Sequence, residues 1–134
     1  MPKTVISDAK GVVNSAGSGT TISNAVTFGD AITLGAALVG SIDTRAEAGA
    51  VSLTSLITLV TTTSSRAITL AAGTAGQVKI ITMTVDGGDA TLTPAGGILG
   101  GSTTITFGDV GDTVVLVYTG AKWAIASNVG CTVA

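Results

Sequence analysis

The sequence predicts an all-β protein, an antiparallel β-sandwich or small barrel, and three observations favour this fold class. The 134 residues include 23 Thr and 15 Val, whose β-branched side chains suit a pleated sheet better than a helix. The 19 glycines punctuate short segments, where tight turns require positive φ. From Val51 onward, apolar and alternating segments recur roughly every ten residues, which is typical of a sandwich or barrel.

The N-terminal third differs from the remainder of the chain. We predict a Gly-rich N-terminal arm or small accessory β-region over residues 1–48, and a β-sandwich core domain over residues 49–134. Within the first segment, residues 21–28 and 31–34 are compatible with short strands. Residues 43–50 have fair helix propensity, which predicts one or two helical turns.

The alternation of apolar and polar residues is clearer after Val51. An apolar series from Val51 to Leu59 changes phase once, which predicts a bulge or a turn near Ser55. Residues 66–71 form the next predicted strand. Residues 77–85 are apolar on both faces, which indicates a central strand covered on both sides. The Asp-Gly-Gly-Asp sequence at 86–89 is typical of a hairpin turn.

The last four predicted strands complete the domain. Residues 90–93 end at Pro94, which has no N–H for a strand ladder. Residues 103–107, 113–119 and 122–127 follow, separated by Gly-containing turns. We predict core positions for Tyr118 and Trp123, because the chain has few other bulky side chains. The alternative is that these two aromatic residues, which flank a tight turn, form a small ligand face. The tetrapeptide Thr-Phe-Gly-Asp occurs at 27–30 and again at 106–109, which we interpret as recurrent turn chemistry.

Charge is unusually scarce. Only 10% of the residues are charged, the net charge is −2, and the six cations are scattered along the chain. Since nucleic-acid binding needs a concentration of positive charge, we expect no nucleic-acid partner. With so few charges to cover its surface, the protein is expected to bury part of that surface in subunit contacts as a homo-oligomer. The alternative is a monomer kept soluble by Thr and Ser hydroxyl groups.

No targeting or membrane segment is evident in the sequence. The first ten residues lack the apolar core of a secretory signal, and residues 48–65 contain too many hydroxyl side chains for a membrane span. We therefore expect synthesis in the cytoplasm and no membrane partner. Cys131 is the one cysteine, which excludes an intrachain disulfide, and we interpret it as a small buried or tail residue.

The sequence offers little for catalysis. It contains no histidine, which removes the commonest general base and most zinc sites. Asp86 with Asp89, and Asp109 with Asp112, lie in Gly-containing turns, where Asp is favoured for its own backbone hydrogen bonds. A two-carboxylate hydrolase and a calcium site between the two turns remain alternatives. We expect no enzyme, no catalytic, cofactor-binding or metal-binding residues, no cofactor and no small-molecule substrate.

One phosphate-binding pattern is broken. Residues 17–22 begin like a dinucleotide-binding fingerprint, but Ile22 stands where the third glycine is required. We therefore expect no nucleotide site in this segment.

Six sequence segments, followed by Lys122-Trp123, occur in a particular order: residues 52–54, 58–62, 68–81, 90–94, 103–107 and 111–116. Together these segments resemble a module of tailed-phage virion proteins, of the marine or cyanophage-like type. The resemblance is to capsid decoration (cement) proteins and to β-rich fibre parts. It implies a β-sandwich that assembles, often as a trimer, on the outer surface of the virion and stabilises the head by bridging capsomers.

The resemblance implies the major capsid protein and other copies of the chain as partners, and it assigns no functional residue. An alternative within the same group is a fibre or spike module of the head or tail that recognises a host glycan.

Overall fold

The computed structural model describes Gly35 and residues 37–134, and these residues form an all-β fold, as predicted. Residues 38–134 form a compact unit. Most of the predicted N-terminal arm, with its strands at 21–28 and 31–34, lies outside the described residues. The strands are β1 (Ile42–Arg45), β2 (Gly49–Ala50), β3 (Ile57–Thr61), β4 (Arg66–Leu70), β5 (Val78–Val85), β6 (Ala90–Pro94), β7 (Ile105–Phe107), β8 (Thr113–Tyr118), β9 (Trp123–Val129) and β10 (Thr132–Val133).

The strands form two five-stranded sheets that enclose a common core, which is the arrangement of a β-sandwich and not of a closed barrel. Sheet A has the order β1-β3-β5-β8-β9, and sheet B has the order β10-β7-β6-β4-β2. Both sheets contribute apolar side chains that are almost fully buried between them. The largest of these are Ile81, Met83, Leu116 and Trp123 from sheet A, and Ile68, Leu70, Leu92, Ile105 and Phe107 from sheet B.

Strands β1 to β6 form three stacked coils, each with one strand in sheet A followed by one strand in sheet B. Because the chain changes sheets after every strand, successive coils place parallel neighbours in each sheet: β1, β3 and β5 in sheet A, and β2, β4 and β6 in sheet B. Strands β7 to β10 then join the sheets in antiparallel pairs. The prediction of an antiparallel sandwich therefore needs correction: the sheets are mixed.

The turn at residues 86–89 connects the two sheets and is not a hairpin, since β5 pairs with β3 and β8 while β6 pairs with β4 and β7. Its glycines are required by close stacking on the preceding coil. A Cβ on Gly87 would lie 2.6 Å from the carbonyl oxygen of Thr62, and one on Gly88 would lie 2.5 Å from the amide nitrogen of Ser65. The Thr62 hydroxyl also donates to the Gly88 carbonyl at 2.6 Å and accepts from the Gly87 amide at 3.1 Å.

One further local prediction was wrong. Residues 43–50 are not helical, because β1 and β2 pair in parallel with β3 and β4, and this pairing outweighs the modest helix propensity. Residues 51–56 form the bent connection between β2 and β3, so the phase change near Ser55 marks a turn, and the irregularity in the β3–β5 pairing falls at Val60/Thr61. Strands β1 and β2, at the predicted domain boundary, are thus part of the sandwich sheets.

Candidate functional site

In each pair of turn aspartates, one carboxylate makes local backbone contacts: Asp86 in the first pair and Asp112 in the second. Asp86 accepts a hydrogen bond from the Gly88 amide at 2.9 Å. The buried Asp112 carboxylate accepts from the amides of Gly108 and Asp109, at 2.7 and 3.1 Å, and so closes the turn between β7 and β8. These are the contacts expected of turn residues. Among residues 37–134, no group of three or more acidic or cysteine side chains is arranged to hold a metal ion.

Cys131 lies in the turn between β9 and β10, and it is buried. Burial, with a smaller contribution from the negative charge of Asp112, raises the pKa of its thiol from 9.0 to about 11. Since the thiolate is the reactive form, this thiol is poorly suited to act as a nucleophile at neutral pH. The predicted buried position of Cys131 is confirmed.

The aromatic pair of Tyr118 and Trp123 belongs to the core, as predicted. The Trp123 side chain is fully buried, and its indole N–H donates to the Ala71 carbonyl at 3.0 Å. The two rings meet edge to face with their centroids 5.1 Å apart. This contact closes the core under the connection between β4 and β5, so the pair offers no open aromatic surface for a ligand.

Strand β5 buries a lysine between the sheets. Lys79 is 0% exposed, and its Nζ donates to the Ser55 carbonyl at 2.6 Å. Burial lowers the pKa of this amine, while the nearby Asp43 charge opposes that effect. The strand was predicted to be central, and it is the middle strand of sheet A. Because Lys79 points inward, its neighbours Val78 and Ile80 point outward.

The outward positions of sheet A form an aliphatic surface, which we name outer face A. Its members alternate with the buried residues along each strand and remain partly or fully exposed. Across the described strands this face carries no charged side chain. It consists of Ile42, Thr44, Ile57, Leu59, Thr61, Val78, Ile80, Thr82, Thr84, Thr113, Val115, Val117, Ala124, Ser127 and Val129.

The strand registers align these side chains into rows. Ile42 lies opposite Ile57, which lies opposite Ile80, which lies opposite Val115. This row runs across four strands, and Leu59 and Val117 extend the aliphatic surface on either side of it. Outward positions in a solvated sheet are usually polar. A continuous aliphatic row at these positions is therefore the feature of the described residues that most needs a partner.

The outward positions of sheet B form a second surface, outer face B, and its chemistry is different. Threonines follow one another across the strands: Thr132 lies opposite Thr106, which lies opposite Thr91. Its members are Ala67, Thr69, Thr91, Thr93, Thr104, Thr106 and Thr132. Hydroxyl groups keep this uncharged face compatible with water. An open, mostly apolar hollow of about 490 Å³ adjoins it beside Thr69, Thr93 and Pro94.

The structure leaves several sequence-based sites without support or outside its description. The broken fingerprint at residues 17–22 and the first Thr-Phe-Gly-Asp at 27–30 lie outside the described residues. The second tetrapeptide ends β7 and enters the turn closed by Asp112. In the described part of the chain, no helix has the length and apolar character needed to cross a membrane. Comparison with family models and with curated proteins finds no match for this chain.

The sequence contains a signal for outer face A. Residues 77–85 are apolar on both faces, from which we predict a central strand covered on both sides. In the described unit only the Lys79, Ile81 and Met83 face is covered, by sheet B. The apolar character of the other face is the signal of a contact beyond this unit.

Proposed function

We propose that this chain is a structural protein of a tailed-phage virion, and that it acts as a capsid decoration (cement) protein which stabilises the head by bridging capsomers. The supporting observation is outer face A, a five-stranded surface with an aliphatic centre and no charge among the described residues. Exposed apolar surfaces of this kind mark sites of protein–protein association.

The proposed mechanism is mechanical. A rigid sandwich presents a preformed surface, so little backbone order has to be gained when a neighbour binds. Uncharged side chains avoid the desolvation penalty of burying an unpaired ion. The proposed partners are the major capsid protein and further copies of this chain, on the outer surface of the phage head. The family resemblance of residues 52–123 supplies the virion setting for this assembly role.

The test is binding of the purified full-length chain to expanded phage capsids that lack it. We expect the chain to co-sediment with the capsids at a saturable ratio and to raise their melting temperature. The control is capsid incubated under the same conditions with an unrelated globular protein of similar mass, which is expected neither to sediment with the capsids nor to change their melting temperature. A wild-type chain that neither sediments with capsids nor changes their melting temperature would contradict the proposal.

A further inference from the structure

We infer, resting on the proposed assembly function, that two copies of this chain associate face to face through outer face A. The first reason is the row of Ile42, Ile57, Ile80 and Val115. Each of these side chains is only partly covered in the described unit, and Ile42 is 59% exposed. Covering them with a second apolar layer removes this area from water and follows the same physics as the sandwich core.

The second reason is the absence of charge on outer face A among the described strands. A charged partner surface would lose hydration against this face and find no ion to pair with. A second copy of the same face brings only aliphatic side chains and threonine or serine hydroxyls. Outer face A is therefore complementary to itself, which is the requirement for a two-fold contact between identical subunits.

The third reason is size. Five strands spaced about 4.8 Å apart, each contributing about five residues of about 3.3 Å, give a face of roughly 400 Å² in projection. The corrugation of the side chains makes the accessible area larger. Two such faces together give about 800 Å² in projection, which lies at the upper limit of crystal contacts and in the range of weak, transient interfaces. We therefore expect a dissociation constant of about 1–100 µM.

Modest affinity fits an assembling role. Copies held near one another on a repeating surface experience a high effective concentration, so a weak pairwise contact becomes persistent. In free solution the same contact is reversible, and it can be measured by dilution. Outer face B lacks the aliphatic row, since Thr91, Thr93 and Thr106 occupy its centre. It therefore supplies the matched control surface.

The experiment is sedimentation equilibrium of the full-length chain between about 1 and 200 µM. Wild type is expected to pass from monomer to dimer mass over this range. Ile80→Lys places an ammonium group at the centre of outer face A, and we expect it to raise the dissociation constant at least about 100-fold. Thr93→Lys places the same charge on outer face B, and it is expected to dimerise like wild type.

Folding of each variant is checked by its thermal unfolding and by the near-ultraviolet signal of the buried Trp123. If Ile80→Lys does not fold, Ile80→Thr retains a β-branched residue and is expected to weaken the dimer about 10-fold. A wild-type chain that stays monomeric at the highest concentration overturns the inference. So does a folded Ile80→Lys or Ile80→Thr variant with the wild-type dissociation constant.

The capsid experiment separates this inference from the proposed function. A chain that dimerises through outer face A but ignores capsids retains the self-association and contradicts the virion role. A chain that binds capsids as a monomer, with no effect of Ile80→Lys on its solution mass, retains the virion role and contradicts the self-association.

Discussion

Sheets A and B line one core, but their two surfaces are composed in opposite ways. Sheet B follows the usual rule: Ile68 and Leu92 point inward, and Thr69 and Thr93 point outward. Sheet A buries Lys79 at its centre and leaves Ile80 partly exposed. Among the described residues, the outer surface of sheet B is therefore suited to contact water, whereas the outer surface of sheet A is suited to contact a second apolar layer.

This contrast teaches that burial within the described unit does not account for every apolar residue of its strands. Strand β5 contributes Ile81 and Met83 to the core and Ile80 to outer face A. Adjacent residues of the same strand thus serve folding and association separately. Substitutions at positions 80 and 81 should separate these two roles. The loss of unfolding free energy at position 81 is the largest effect that we expect.

Ile81→Ala is expected to lower the free energy of unfolding by about 2–5 kcal/mol, because it leaves a cavity in a fully buried core. Ile80→Ala should cost less than about 1 kcal/mol in the monomer, because its side chain is already partly exposed. Chemical denaturation at low protein concentration measures both. Equal losses at the two positions would contradict the assignment of inner and outer faces.

Gly87→Ala tests the stacking of successive coils, which sets the parallel part of both sheets. The added methyl group would meet the backbone of Thr62 and Thr63, so we expect a loss of about 1–3 kcal/mol. Gly87 does not have positive φ, so the expected loss comes from the close contact alone. The control is Gly101→Ala, which has open space and only its positive φ to strain it. If thermal denaturation shows a smaller loss for Gly87→Ala than for the control, the coils are not tightly stacked.

Cys131 is expected to make the protein less stable at alkaline pH. Its folded-state pKa of about 11 exceeds the ordinary value of 9.0, so the unfolded chain loses the thiol proton first as the pH rises. The stabilisation is complete below pH 9 and is lost as the pH passes through 11, by about 1–2 kcal/mol. Unfolding free energies measured from pH 8 to pH 11 in wild type and Cys131→Ala check this, and parallel curves would refute it.

Lys79 should act in the opposite direction. Burial lowers the pKa of its amine in the folded state, so the unfolded chain holds the proton more tightly. Stability therefore rises with pH between the lowered pKa and the ordinary value of 10.5. Lys79→Met should abolish this rise and keep the stability near neutral pH within about 1 kcal/mol of wild type. The prediction fails if the variant retains the alkaline rise.

Much of the fold could be predicted from local sequence chemistry. Alternation in residues 66–71 and 103–107, and Pro94 at the end of β6, indicate strands that the structure confirms. The order of strands in the sheets could not be obtained in this way. The Gly87-Gly88 pair is equally suited to a primed hairpin turn and to a tight crossover against Thr62, and only the neighbouring coil decides between them.

The candidate surface could be predicted only in part. Low charge indicated that the surface itself is important, but it did not identify which face. The pattern of residues 78–85 contains Lys79 on one side and Ile80 on the other, and a simple hydrophobic rule would turn the lysine outward. Its inward position depends on the Ser55 carbonyl, which is 24 residues away and accepts its hydrogen bond. Such a partner is not visible in periodicity.

The most direct test of outer face A uses single cysteine substitutions, because the buried native Cys131, with its raised pKa, should react slowly with thiol reagents. Ile80→Cys places a reporter on outer face A, and Thr93→Cys places one on outer face B. The labelling rate at position 80 should fall as the protein concentration rises, while the rate at position 93 should stay constant. Equal, concentration-independent rates at both positions would contradict the association of two copies through outer face A.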